Sequence, residues 1–469
     1  MLTERYRIMT APLAALATRI SGRVVTTSEP DWDSVRTGFN LTTDVRPHAV
    51  VLPAHAADVV QVVEHARAHG LRIAAQATGH NNGAHRDLTD ALLVDVRDLR
   101  EITIDADARR VRVGAGVRWQ DVVPALSDLG LAALHGSSPL VGIAGYSLGG
   151  GMGWLARKYG LQTNSVTALE VVTADARLRR VDPQNEPDLF WALRGGNGNF
   201  GVVTGIEFEV YAVSDLYAGA LFFPADSAQL VLRRWFGLAP RLPEEMMTWT
   251  SLIHFPDDPE VPGELRGRPF TVFHCAYLGD AQTGADLLRP IRDLGPVLDT
   301  FATVPPAVLA DMAMDPPAPL PYLSTTALVD RITPQALDDL LDAVGPDSGS
   351  PLSLVQIRQL GGALGRQAPG AGARATIPGS YSVLALGVVA EAGDEGPVAS
   401  YLARLDDALR PYRVGEYPNF VEQPGDASRF FTPQTWERLR AVKTAYDPGD
   451  LFQGNHHVPP LPHEQAVNE

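Results

Sequence analysis

The 469-residue sequence predicts an α+β protein in which a strand–helix alternation gives way to an antiparallel sheet backed by helices. Three observations point there. Over the first 212 residues, short apolar runs alternate with amphipathic helical stretches. From 213 to 415 the pattern changes to longer alternating strands separated by four helices. Glycine clusters at 77–83, 141–153 and 195–201 punctuate the first part.

The elements follow in chain order. An apolar helical pattern over 11–21 stops at Gly22. Ala49 to Pro53 is a short buried strand. Ala56 to His69 is an amphipathic helix with Val59, Val60, Val63 and Ala66 on its stripe and Gly70 as its stop. Leu71 to Ala75 is the next strand, and it delivers the loop Ala77-Thr78-Gly79-His80-Asn81-Asn82-Gly83. Strands over 91–95 and 110–114 precede a helix from Trp119 to Gly130. A short helix ends at Gly160, a hairpin turns at Ala174-Asp175-Ala176, and a strand runs over 202–211. In the middle region strands are expected at 216–223, 248–254, 270–277, 353–359 and 382–389, with helices at 227–236, 281–293, 334–342 and 397–409. Proline- and glycine-rich stretches at 305–322 and 366–379 read as loops.

Bulk composition narrows the function classes. A net charge of −16 argues against nucleic acid or an anionic membrane as partner. No run approaches the length of a membrane span, and the first residues lack the pattern of a signal peptide. Cys275, the single cysteine, excludes an intrachain disulfide and sits in a strand-like apolar run, where an inert buried thiol is expected. These features fit a cytoplasmic protein. The lysines are only Lys158 and Lys443, so arginine carries nearly all the positive charge, an arginine bias expected of a GC-rich bacterial genome.

The glycine segments carry the chemistry. Glycine lets backbone approach a ligand closely, and successive exposed N–H groups cradle anions. Two such segments, one of them holding His80, suit a pyrophosphate joined to a reactive ring system, the pattern of a flavin dinucleotide.

In order along the chain, Ala77-Thr78-Gly79-His80, Val141 to Gly153, Arg157-Lys158-Tyr159-Gly160-Leu161, Asp188 to Gly196, Tyr417-Pro418-Asn419-Phe420, Leu439 to Lys443 and Tyr446-Asp447-Pro448 resemble the berberine bridge enzyme-like FAD-linked oxidases. These belong to the vanillyl-alcohol oxidase and p-cresol methylhydroxylase (PCMH) group. The resemblance implies a two-part PCMH-type FAD-binding domain, 1–212 with its core about 43–213, interrupted by a substrate-binding domain at 213–415 and completed by a returning segment at 416–469. It implies FAD bonded covalently through His80. Thr78, Gly79, Asn81, Gly83, Val141, Gly142, Gly145, Gly149, Gly150 and Gly153 are the expected companions on the flavin and pyrophosphate. Gly198, Gly201 and Val203 match the adenine-side segment. Asn455 either approaches the flavin ring or is a helix-end asparagine. Ser138 stands where many relatives have a second, cysteine tether, so one covalent link is expected; a hydroxyl lacks the thiolate chemistry. Gln76 stands where many relatives carry arginine. Val141 matches a position that gates oxygen in relatives, and valine there resembles the oxidases.

For the reaction itself, Tyr417 matches the family's catalytic tyrosine. A phenol ionises near pH ~10 and acts as a base only where its phenolate is stabilised. Asn419 shares its side if the segment is extended. In the strand 353–359, Leu354, Gln356 and Arg358 share one face. If that face looks onto the flavin, Gln356 and Arg358 bind substrate and Arg358 stabilises the phenolate; otherwise it faces solvent. Tyr381 is a second phenol candidate. His456 and His457 are adjacent and point apart, so no metal site is expected. The expected activity is oxidation of an alcohol, on a sugar or a polycyclic natural product, with a small-molecule substrate and O2 as partners. The alternatives are a flavin-dependent dehydrogenase using an organic acceptor and a non-catalytic flavin- or ligand-binding protein.

Overall fold

The computed structural model describes residues 13–462 and shows an α+β architecture built on three large sheets and a two-stranded ribbon, Leu131–Ala132 with Tyr211–Ala212. The predicted first helix lies partly outside the described residues; its visible part covers 13–17. The first sheet has Ala49–Leu52, Ala91–Asp95 and Arg72–Gln76 in parallel, with Arg23–Val25 added antiparallel at the edge. Its strands are continuous apolar runs because both faces are covered; Ala49, Val50, Val51, Leu92, Leu93 and Val94 are fully buried. The helix Ala56–His69 buries Val59, Val62, Val63 and Ala66 against that sheet and ends at Gly70 in the left-handed conformation.

The second sheet is antiparallel, in the order 102–105, 110–114, 202–209, 166–172, 178–181. The predicted helix from Trp119 is instead a one-turn 3-10 segment, Trp119–Asp121, followed by the short helix Val123–Asp128. Pro124 sits in the first turn of that helix, the one place where its missing N–H costs nothing.

The third sheet has nine antiparallel strands drawn from 216 to 415. Its central strands run in the order Leu216–Pro224, Pro269–Tyr277, Met246–His254, Leu354–Gln359, Tyr381–Val388 and Tyr322–Val329. The last of these begins at the end of the proline-rich 305–322 stretch, and the sequence reading did not find it. Helices Ala228–Leu238, Ala281–Arg292, Pro334–Val344 and Glu395–Leu409 cover one face with a shared core that includes Trp235, Leu340, Val355, Ile357 and Leu405. The pleat sends Gln356 and Arg358 to the opposite face.

The chain then returns. From the edge strand Arg413–Gly415 it passes Tyr417 and enters the helix Pro433–Tyr446, which packs against Pro187–Leu193. Phe452 pairs with Ile73 of the first sheet. Lys443, fully buried, fixes this return: its ammonium donates to the carbonyls of Asn199 and Phe452 and to Asp447. Among the described residues, no helix is long and apolar enough to cross a membrane.

Candidate active site

A cavity of about 1310 Å³ lies where the glycine segments meet the open face of the nine-stranded sheet. Chain regions far apart in sequence form its walls. The 76–85 loop and the 136–146 segment supply one side, Ser251, Gln356, Arg358 and Leu384 another, and Tyr417, Asn419, Phe420 and Asn455 close it from the returning segment. Side-chain hydrogen bonds to backbone knit these regions. Asn81 donates to the carbonyl of Val421 at 2.8 Å, Asn455 to that of Asn81 at 2.5 Å, and His456 Nε2 bonds the carbonyl of Pro418 at 2.9 Å.

His80 lies in the cavity wall, stacked on Phe39 with ring centroids 4.0 Å apart. Its Nδ1 bonds Thr78 Oγ1 at 2.8 Å, whereas Nε2 is shut from water with no partner. Burial, with Arg118 adding like-charge repulsion, holds the imidazole pKa down to about 3. The ring is therefore neutral at physiological pH, and a buried nitrogen without a partner is a costly feature unless a ligand completes it. Together with the Gly79 and Gly142 backbone exposed to the cavity, this is an environment that fits FAD: His80 would meet the ring system and the two glycine segments would hold its phosphates.

The second glycine segment is not a loop throughout. Gly142 precedes a seven-residue helix, Ile143–Gly149. Gly142, Gly145 and Val141 line the cavity, as do Thr78, Gly79 and Asn81. Gly149, Gly150, Gly153 and Gly83, expected as ligand contacts, lie off the cavity wall. Their hydrogens admit protein atoms instead. A Cβ on Gly149 would stand 2.0 Å from Asn419 Oδ1, one on Gly153 1.8 Å from the His135 carbonyl, and one on Gly83 2.5 Å from that of Glu422. Gly198, Gly201 and Val203 also lie off the cavity wall. Gly201 lets its strand approach Val171 and Val172, and Val203 is buried in the core of the second sheet.

Two helical glycines thus give opposite expectations. Glycine to alanine inside a helix normally stabilises by ~0.5–1 kcal/mol. Gly145→Ala meets nothing within 4 Å, so chemical denaturation should show equal or higher stability while the new methyl, facing the cavity, lowers flavin content. Gly149→Ala should destabilise by about 1–3 kcal/mol through the clash with Asn419. The same direction of change in both variants would contradict this assignment.

Tyr417 is buried, and its hydroxyl oxygen accepts the backbone N–H groups of Gly151 at 2.8 Å and Met152 at 3.0 Å. Burial pushes its pKa up to about 12, against the pull of the Gly151 N–H, Arg374, the Met152 N–H and Arg358. The segment after it is a 3-10 turn, Pro418–Phe420, so the extended arrangement that would put Asn419 on the side of Tyr417 is not the one present. Asn419 accordingly turns to donate to the Tyr146 carbonyl at 3.0 Å.

Gln356 and Arg358 line the cavity, so the inward orientation of that strand face is the one realised. Arg358 donates to Gln356 Oε1 at 2.5 Å and to Ser137 Oγ at 3.2 Å. Its guanidinium lies 4.3 Å from the Trp249 ring centroid and 5.1 Å from that of Phe420. Tyr381 is not in the site. It pairs with Gln359 rather than Arg358, so the pleat turns it onto the helix side against Trp235 and Phe236. Two residues escaped sequence reasoning. Asp315 enters from the proline-rich 305–322 stretch, faces Ser137 and Arg358, and burial raises its carboxyl above the ordinary range. Tyr146, inside the glycine segment itself, is half-buried near Tyr417 and Arg358 and donates to the Leu134 carbonyl at 3.0 Å. Ser138 also lines the cavity and accepts from the Leu140 N–H at 3.3 Å. Gln76 is buried beside Asp95. His457 pairs with Asp450, away from the Pro418 partner of His456.

The family comparisons agree with this geometry. Residues 47–182 match the FAD binding domain family. An uncharacterized FAD-linked oxidoreductase of Bacillus subtilis, YgaK, is 27% identical over 458 residues, covering 95% of this chain and 98% of that one. The crystal structure of 6-hydroxy-D-nicotine oxidase from Arthrobacter nicotinovorans is 25% identical with a TM-score of 0.82, over 94% of this chain and 98% of that one. In fold, BBE-like 1 of Physcomitrella patens superposes with a TM-score of 0.82 at 21% identity, over 96% of this chain and 100% of that one. With the glycine segments, the His80 loop and the returning tyrosine segment arranged around one cavity, the chain is an FAD-linked oxidoreductase that carries an FAD binding domain over residues 47–182 and is similar in fold to the berberine bridge enzyme-like proteins.

Proposed function

We propose that this oxidoreductase is an oxidase acting on an alcohol, with FAD joined covalently to His80 alone and molecular oxygen as acceptor. The observation that carries the reading is the Tyr417 oxygen, held by two backbone N–H groups beside two guanidinium groups in a cavity shared with His80. When bound, FAD supplies the acceptor for the substrate hydride and the route by which two electrons reach oxygen, giving hydrogen peroxide. Tyr417 takes the proton of the substrate hydroxyl as the carbon loses its hydride, so a carbonyl product forms. Gln356 and Arg358 hold the substrate oxygen, and the Arg358 charge favours the phenolate. The neutral His80 ring offers a nitrogen lone pair for the tether. Asn455 and Asn81 fix the loop that presents it.

The lining also bears on substrate charge. Asp257, Asp258, Glu260, Asp315 and Glu422 stand against Arg358, the one lysine or arginine in the wall. Such a wall favours neutral or cationic substrates over carboxylates. It also favours a second reading, oxidation of an amine carbon, in keeping with the nicotine derivative named for the Arthrobacter relative.

Anaerobic screening tests both readings: flavin bleaching is followed with matched neutral, amine-bearing and carboxylate-bearing alcohols. Neutral or amine-bearing compounds should bleach fastest. A clear preference for carboxylates would overturn the charge argument, and bleaching by amines that lack a hydroxyl would select the second reading. Oxygen use has its own test. Val141 lines the cavity, and Val141→Leu should slow reoxidation by air much more than it slows flavin reduction. Equal effects on both half-reactions would make the residue simple packing. Slow reoxidation of the wild type in air would replace the oxidase with a dehydrogenase that uses an organic acceptor.

A further inference from the structure

Arg374 is a buried guanidinium without an acidic side-chain partner. It is 5% exposed, and its Nε has no hydrogen-bond partner. Nη2 donates to the Phe430 carbonyl at 3.2 Å, and the guanidinium lies 5.0 Å from the centroid of the Phe431 ring. Among the described residues no carboxylate pairs with it. Burying a charge this way is costly unless an anion answers it.

The acidic group within its reach is Tyr417. Both side chains converge on Gly150, whose φ of +142° is one that side chains other than glycine rarely adopt. A Cβ there would stand 3.0 Å from Arg374 Cδ and 3.3 Å from the Tyr417 oxygen. The Arg374 backbone is clamped as well, since its N–H donates to the Arg194 carbonyl at 3.1 Å and Gly195 leaves room for its Cβ. The guanidinium is thus delivered to the phenol by a loop that runs behind the glycine segment, outside the cavity wall.

We propose that Arg374 is a positioning residue for Tyr417: its charge, held behind Gly150, is the counter-charge that makes the Tyr417 oxygen a proton acceptor. The proposal rests on the reading of Tyr417 as the base. The proton moves from the substrate hydroxyl to the phenolate oxygen, and Arg374 remains protonated throughout. Burial brings Arg374 down to about 10, with the neighbouring phenol opposing that fall. Arg374 also stands ahead of Arg358 among the groups that draw the Tyr417 pKa down. The other titratable groups facing the pair are Tyr146 and Arg358 on the cavity side, with Asp315 beyond Arg358, and His456 and Arg429 on the far side of Arg374. Burial keeps His456 neutral, at about 4, so it does not compete for the role.

The test titrates Tyr417 directly in the flavin-loaded protein. Fluorinated tyrosine, whose phenol ionises at lower pH, replaces all 12 tyrosines, and the fluorine resonance lost in Tyr417→Phe identifies the residue. In Arg374→Met the midpoint should rise by about one unit or more, the scale of one nearby opposite charge. Arg374→Lys should restore most of the shift, which a purely structural role would not produce. If Arg374→Met fails to fold, Arg374→Lys is compared with Arg374→Gln: a lower midpoint with lysine supports the proposal and equal midpoints overturn it. An unmoved midpoint in folded Arg374→Met also overturns it. Loss of reduction in Tyr417→Phe together with an unmoved midpoint defeats this inference alone. A moved midpoint with a fully active Tyr417→Phe defeats the base reading beneath it.

Discussion

Tyr417→Phe should lower the rate of flavin reduction on the order of a hundredfold or more, the usual scale for losing a general base. The substitution keeps the ring, which packs with Met152, Leu161, Leu328 and Ile377 and meets Phe420 edge-on at 5.0 Å. It removes the one atom that the Gly151 and Met152 N–H groups address. Two buried donors are then left without an acceptor, so a stability loss of about 1–3 kcal/mol accompanies the kinetic effect. Flavin content should be unchanged. The pH dependence has a definite sign. Tyr417 accepts a proton only when ionised, and burial places its pKa at about 12, so the wild-type rate should climb as pH rises towards alkaline values. The variant should lose that climb. A Phe variant that reduces its flavin at the wild-type rate would move the base elsewhere, and Tyr146 is then the phenol nearest the same groups.

His80→Ala should abolish the covalent flavin bond entirely while leaving a reduced, non-covalent flavin occupancy. The glycine segments, Tyr417 and the Asn81–Asn455 tie remain. What disappears is the imidazole, its stack on Phe39 and its bond to Thr78. The alanine protein should lose its yellow colour on acid precipitation and prolonged dialysis. Full retention of flavin through acid denaturation in His80→Ala would assign the tether to another side chain, with Ser138 the nearest departure from the family pattern to re-examine.

Much of the site was legible because it follows from periodicity. The strand 354–359 alternates, so Gln356 and Arg358 had to share a face, and the helix-covered side took Val355 and Ile357. Tyr381 shows how narrow that logic is. One residue of register separates it from Ser382, the partner of Arg358, and the offset sends it to the helices. Whether the segment after Tyr417 is extended stayed open in the sequence, because Pro418 suits the first position of a turn as well as a strand edge; the structure has the turn. The glycine density divides between the cavity wall and packing against protein atoms, and the sequence does not show the division. A sequence shows that something approaches Gly149, Gly150 and Gly153, not whether it is a cofactor or Asn419, Arg374 and His135. Asp315 and Arg374 were beyond reach for a related reason. Both come from proline- and glycine-rich stretches, where no period relates neighbouring side chains, and only the folded loops bring them to Arg358 and Tyr417.

The central claim is that one cavity holds FAD bonded to one residue, and the wild-type protein tests it without any substrate. The protein is denatured in acid, digested and analysed by mass spectrometry. The expected result is flavin mass on a single peptide that contains His80, with none on the peptide that contains Ser138. Free FAD in the acid supernatant, or flavin on a peptide without His80, would contradict it.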